Sequence, residues 1–154
     1  MELNQHNKAE FPPSHTAEHL LNGTMVKMFG CPRSPRAHVE RTKSKLDYPL
    51  PRPLTDEEIA EVERRVNEQI SADLPVVMEF MPIEEAARQF NLDRLPDDAS
   101  STVRIVKIGD YDACPCIGAH VGHTAEIGKF RITSSRYADG WQRLVFRLTL
   151  PDEL

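Results

Sequence analysis

Two pairs of metal-binding side chains near opposite ends of the chain restrict its fold more than any other feature. His15 and His19 lie four residues apart in His15-Thr16-Ala17-Glu18-His19, at the start of a run with apolar residues at helical spacing (Leu20, Leu21, Met25, Met28). On a helix, residues four apart lie one above the other, so both imidazoles face one point. About a hundred residues later comes Cys114-Pro115-Cys116-Ile117-Gly118-Ala119-His120, in which Cys116 and His120 are spaced for chelation and Gly118 lets the chain turn tightly. Either pair alone is weak evidence, since two histidines on a surface helix are commonly incidental. Together, His15, His19, Cys116 and His120 supply what tetrahedral Zn²⁺ requires, and a thiolate favours zinc over Mg²⁺ or Ca²⁺. The competing reading keeps Cys116 as a small buried residue and the histidines as satisfied polar groups, and it must accept four candidate ligands as coincidence. His123 is near enough in sequence to support a ligand or replace one, while His6 and His38 are bystanders.

The elements around these pairs read as one α+β domain, a mixed or antiparallel sheet with packed helices, over residues 14–150, preceded by an extension over residues 1–13. Ser14 is the expected N-cap of a helix running to about Met28, ended by Gly30-Cys31-Pro32. His38 to Arg41 and Lys43 to Tyr48 read as short strands in a proline-rich stretch. Thr55-Asp56-Glu57-Glu58 is a capping box, and Ile59, Val62, Val66 and Ile70 form one apolar stripe behind it. A strand at Val76 to Met81, a short helix over Ile83 to Phe90 opened by Pro82, and a linker over Leu95 to Ser101 follow. Val103 to Ile108, Gly128 to Ser134 and Gln142 to Leu148 alternate as strands. With 154 residues, 40% hydrophobic, the chain suits a single core. No stretch approaches the roughly 18 to 20 apolar residues of a membrane span. The N-terminus lacks a signal-peptide pattern, and three cysteines make a poor disulfide framework, so a cytoplasmic protein with reduced thiols is expected.

A net charge of −5 argues on average against a polyanionic partner, but the average hides a local reversal. Arg33, Arg36, Arg41, Lys43, Lys45 and Arg52 face only Glu40 and Asp47 in the same segment, whereas Asp56 to Glu68 is mostly acidic. This is either a pair of solvated faces of opposite sign or a nucleic-acid footprint, with Arg33, Arg36, Lys43 and Lys45 as candidate contacts.

The run Ser14-His15-Thr16-Ala17-Glu18-His19-Leu20-Leu21 resembles the H-[ST]-A-x-H-L-L signature of the editing domains shared by alanyl- and threonyl-tRNA synthetases and their freestanding relatives. Cys116-Ile117-Gly118-Ala119-His120-Val121 and Thr124-Ala125-Glu126-Ile127-Gly128-Lys129-Phe130-Arg131-Ile132 are similar to that family's C-G-G-T-H-V and T-G-E-I-G-x-F-K-I segments in order and spacing. The likeness spans roughly Ser14 to Leu148. It implies a zinc held by His15, His19, Cys116 and His120, and hydrolysis of the ester joining a wrong amino acid to the terminal adenosine of tRNA, with seryl- or glycyl-tRNA for alanine as the first candidates. A second sieve of this kind is needed because one methylene is worth only about 1 to 3 kcal/mol of discrimination. The sequence holds no region long enough for an ATP-binding aminoacylation core, so editing in trans is the expected role. A catalytic zinc keeps a position open for water, which four protein ligands would close. Either one ligand gives way and a zinc-bound water attacks, with no protein base identified, or zinc shapes the pocket.

Two departures from the family pattern bear on substrate choice. Glu40-Arg41-Thr42 stands where many relatives have a glutamine and Gly-Ser, and Cys114 stands where an acidic residue commonly sits two before the ligand cysteine, with Asp112 two positions earlier. These five are candidate substrate-binding residues, and Cys114 is either a competing ligand or a buried strand thiol. Two other classes remain open: a non-catalytic, zinc-stapled module binding RNA or protein, and a zinc hydrolase of a small ester or amide.

Overall fold

In the computed structural model, which describes residues 11–90 and 102–154, an 18-residue helix opens the fold. This helix, α1 (Pro12–Phe29), begins two residues before Ser14, and its N-cap is Phe11. The expectation of a Ser14 cap is corrected by Pro12 and Pro13. Proline has no N–H to be capped and its fixed φ suits the first helical turn, so the helix starts there and Ser14 is buried inside it. Gly30 ends α1 at φ 67°, a left-handed conformation that glycine adopts without a steric penalty. Strands β1 (Arg36–His38) and β2 (Ser44–Pro49) follow, and then α2 (Asp56–Ser71). The expected capping box is present: Glu58 N donates to Thr55 Oγ1 at 3.1 Å and Thr55 N to Glu58 Oε1 at 2.9 Å. Val62, Val66 and Ile70 of its stripe are buried.

Next come β3 (Val76–Pro82), α3 (Ile83–Gln89), β4 (Thr102–Ile108), β5 (Asp112–Pro115), a 3₁₀ turn at Thr124–Ile127, and the hairpin of β6 (Lys129–Ala138) and β7 (Trp141–Thr149). The expected linker over Leu95 to Ser101, and most of the expected extension, lie outside the described residues. There is not one sheet but two, both antiparallel: four strands in the order β1-β2-β7-β6, and three in the order β3-β4-β5. No helix among the described residues is long and apolar enough to cross a membrane.

Alternation decides which face each sheet buries. Leu46 and Tyr48 of β2 and Leu144 and Phe146 of β7 meet Leu20, Leu21 and Met25 of α1 and Val62 and Val66 of α2 in the main core. In β4, Val106 and Ile108 face this core, while Val103 and Ile105 pack on Ala86 of α3. Polar groups fix the helices against the sheets. Tyr48 donates to Asn22 Oδ1 of α1 at 2.7 Å. Asn67 of α2 exchanges two bonds with the Phe130 backbone, and Glu63 accepts from Ile132 N, so α2 covers part of the free edge of β6. The result holds the N-terminal turns of α1 against β5 and the segment after it.

Candidate metal centre

That packing brings together the two pairs expected from the sequence. One ligand atom each from His15, His19, Cys116 and His120 lies within 4.8 Å of the others. The rings of His15 and His120 stack at 4.2 Å, and His19 meets them edge-on at 5.1 and 4.4 Å. Three imidazoles and a thiol converge because α1 places His15 and His19 on one face while the chain turns back at Gly118.

Hydrogen bonds on the outer side of each ring set which nitrogen points inward. His15 Nδ1 lies 3.1 Å from Ala119 O. A carbonyl only accepts, so Nδ1 carries the proton and Nε2 presents its lone pair, 3.4 Å from Cys116 Sγ. His120 Nδ1 bonds Thr16 Oγ1 at 2.9 Å, and Thr16 also accepts from Val121 N at 3.2 Å. His120 Nε2 is buried and, among the described residues, has no hydrogen-bond partner. A buried nitrogen without a partner costs free energy unless something binds it. A metal ion held by the four side chains would satisfy that nitrogen.

His19 Nδ1 faces the other way, toward Cys114 Sγ at 3.4 Å and Asp112 Oδ2 at 3.9 Å, which leaves Nε2 for the cluster. Burial pushes the Cys114 thiol up to about 12, and His19, Asp112 and Cys114 also form a second group whose ligand atoms lie within 4.8 Å of one another. Asp112 is held in turn by a two-pronged bond from Arg33, Nη1 to Oδ1 at 2.7 Å and Nη2 to Oδ2 at 3.0 Å. Gly23 of α1 makes room for this carboxylate, since a Cβ there would stand 2.8 Å from Asp112 Oδ1. Burial, then the neighbouring imidazoles His120 and His15, hold His19 well below 6.5. Burial, then His15 and Arg104, bring His120 down to about 3. Both are therefore neutral at physiological pH, the form that ligates metal.

Three contributors were not singled out in the sequence. Arg104 of β4 donates from Nε to Cys116 O at 2.8 Å and also bonds Gly118 O, clamping the turn between the two ligands. Its only signal is a cation between the buried Val103 and Ile105. Thr16 was visible merely as the residue after His15. Glu18 Oε1 lies 3.8 Å from His15 Nε2.

The other candidates fall elsewhere. Glu40, Arg41 and Thr42 form the exposed connection between β1 and β2: Glu40 contacts His38, Arg41 lies 4.5 Å from the Phe11 ring, and Thr42 O accepts from Arg147 at 3.5 Å. Arg36 stacks 3.7 Å over Trp141 and Lys45 pairs in register with Val145, while Lys43 is exposed. His123 is turned away, between Asp73 and Glu126.

The chain is a small α+β unit with a His₃Cys cluster between its first helix and a late turn, and comparison with known proteins shows what it is similar to. Residues 103–145 match the family model of the threonyl and alanyl tRNA synthetase second additional domain. The alanine–tRNA ligase of Treponema denticola is 35% identical over 132 residues, which is 85% of this chain and 22% of that protein. Those of Treponema pallidum and Bacillus subtilis (strain 168) are each 34% identical, over 82% and 86% of this chain and 21% and 15% of theirs. The chain is similar to these proteins over most of its own length, and it spans only about a fifth or less of theirs.

Proposed function

We propose that this protein hydrolyses mischarged aminoacyl-tRNA in trans, with Zn²⁺ held by His15, His19, Cys116 and His120. The observation that carries this reading is the buried His120 Nε2, which among the described residues has no hydrogen-bond partner and lies beside two further imidazoles and a thiol, in a chain similar to alanine–tRNA ligases. Zinc bound there would supply Lewis acidity for the ester carbonyl. The chain's own groups do the positioning. Ala119 O and Thr16 Oγ1 fix the tautomers and ring planes of His15 and His120, while Cys114 and the Arg33–Asp112 pair orient His19 from behind. Seryl- and glycyl-tRNA for alanine are the first substrates to test, and the exposed Glu40 to Thr42 connection leaves the amino acid to experiment.

The decisive assay is release of radiolabelled amino acid from a panel of mischarged tRNAs by zinc-loaded protein and by Cys116→Ala, with metal content recorded. Release from one pair, lost with the metal in the variant, is expected. A full set of four protein ligands favours a second reading, a zinc-stapled module that binds RNA without turnover. Stoichiometric zinc with tRNA binding and no release from any pair would replace the first reading with that one.

A further inference from the structure

The four-stranded sheet has a second face, turned away from the helices, and its charge is one-sided. On β7 and β6, Arg147 pairs directly with Arg131 and Arg143 with Arg136. On β2 and β1, Lys45 and Arg36 project from the same side, opposite Val145 and Asp47. The only carboxylate among the strand residues of this face is Asp47, which Arg143 engages at 2.9 and 3.2 Å.

A bulge creates part of this arrangement. Ile132 pairs with Phe146, but Ser134 pairs with Val145, so Thr133 is an extra residue. Were Thr133 paired regularly with Val145, with no bulge, Arg136 would oppose Gln142, whose side chain is buried, and would point into the core. With the bulge, Arg136 faces out beside Arg143. Like charges directly opposite each other on a sheet destabilise it. Two arginine pairs of this kind, in a chain of net charge −5, put cations where folding alone disfavours them.

We infer that this outward face docks the phosphate backbone of RNA, and, resting on the function proposed above, of the tRNA whose 3′ end enters the metal centre. Charge complementarity selects the occupant: arginine forks match phosphate, and the segregation of positive charge on one sheet face gives an electrostatic footprint that the net charge conceals. The face also connects to the site. Arg36 lies three residues beyond Arg33, whose guanidinium holds Asp112 against His19. Three residues span at most about 11 Å between Cα atoms, so a strand gripped at the β1 edge passes within a few nucleotides of the cluster.

The test is fluorescence anisotropy with a labelled tRNA(Ala) transcript over a salt series, using the full chain and Arg131→Gln/Arg147→Gln. We expect the double variant to bind on the order of tenfold more weakly, with the slope of log affinity against log salt shallower by about two. Zinc content, melting temperature and hydrolysis of 3′-O-seryladenosine, which has no phosphate to grip, should be unchanged, because relieving a like-charge pair does not unfold the sheet. Arg136→Gln, which leaves the Arg143–Asp47 pair intact, should show the same effect with a slope change of about one. Unchanged tRNA affinity and slope in both variants would overturn the docking face while leaving the proposed hydrolysis standing. No tRNA binding by the unaltered protein, with no release from mischarged tRNA, would overturn both. Polyglutamate binding as tight as tRNA, and lost in parallel, would assign the face to an acidic protein instead.

Discussion

Thr16 shows how a residue outside a candidate ligand set can govern its geometry. Its hydroxyl bonds His120 Nδ1 and receives the Val121 N–H, so it fixes both the imidazole and the backbone that follows it. Thr16→Val keeps the shape and removes both partners. A buried N–H left unpaired costs about 1 to 3 kcal/mol, and loss of an orienting bond to a ligand typically lowers metal affinity roughly 10- to 100-fold. Competition with a chromogenic chelator measures the affinity, and wild-type affinity in Thr16→Val would remove the threonine from the site. His123 belongs to a separate, exposed group. Hydrogen bonding to Asp73 raises its pKa above 6.5, and the same bond lowers that of Asp73 below 3.8. The sign follows from both shifts. The His123 contribution is fully present below 6.5 and is lost as pH rises through the raised value, while the Asp73 contribution is present above 3.8 and lost as pH falls through the lowered one. An NMR titration should therefore find His123 above 6.5, and Asp73→Asn should return it toward that value. An unmoved His123 in the variant would show that the ion pair is not formed in solution.

Among the elements, α2 was the most legible because its signals are local. The capping box lies within four residues and the apolar stripe within three turns, and both appear as expected. Thr55→Ala removes the acceptor for Glu58 N at a cost of about 1 kcal/mol, which for a chain of this length lowers the melting temperature by roughly 2 to 4 °C. Thermal unfolding followed by circular dichroism reads this directly, and zinc content should stay the same. A melting temperature equal to wild type would mean the box does not contribute to the folded state. The metal pairs were legible for the same reason, since each is spaced within one turn. The start of α1 was misread because Ser14 is a good cap by type, whereas two prolines before it already fix the helical turn. What the sequence hid was long-range. Asp112 pairs with Arg33 across 79 positions and Arg104 reaches the Cys116 turn across a strand, and nothing in the local pattern of either arginine distinguishes a buttress from a surface cation. The division into two sheets was hidden likewise, because strand alternation reports which side of a strand is buried but not which strand it joins.

At the scale of the molecule, the His₃Cys cluster joins α1 to the turn after β5, segments 101 positions apart at His15 and Cys116, and a hydrophobic core joins α1 to the sheets as well. The main core runs through α1, α2 and both sheets, with Leu20, Leu21, Val66, Leu144 and Phe146 among its buried members. Small zinc modules without such a core unfold when the metal is removed. Here, chelation should leave a folded protein that melts in one cooperative step at a lower temperature. A metal held at about 100 times its dissociation constant stabilises by about 2.7 kcal/mol, equivalent to roughly 5 to 10 °C in this size range. Differential scanning calorimetry of zinc-loaded and chelated protein measures the shift. No shift would mean the four side chains hold no metal, and His120 Nε2 would need another partner. Complete unfolding on chelation would make the metal the staple of the fold, and would move the proposed role from hydrolysis toward binding. A moderate shift with full refolding on zinc return is what a site mounted on an independent scaffold produces, leaving the metal free to act on a substrate.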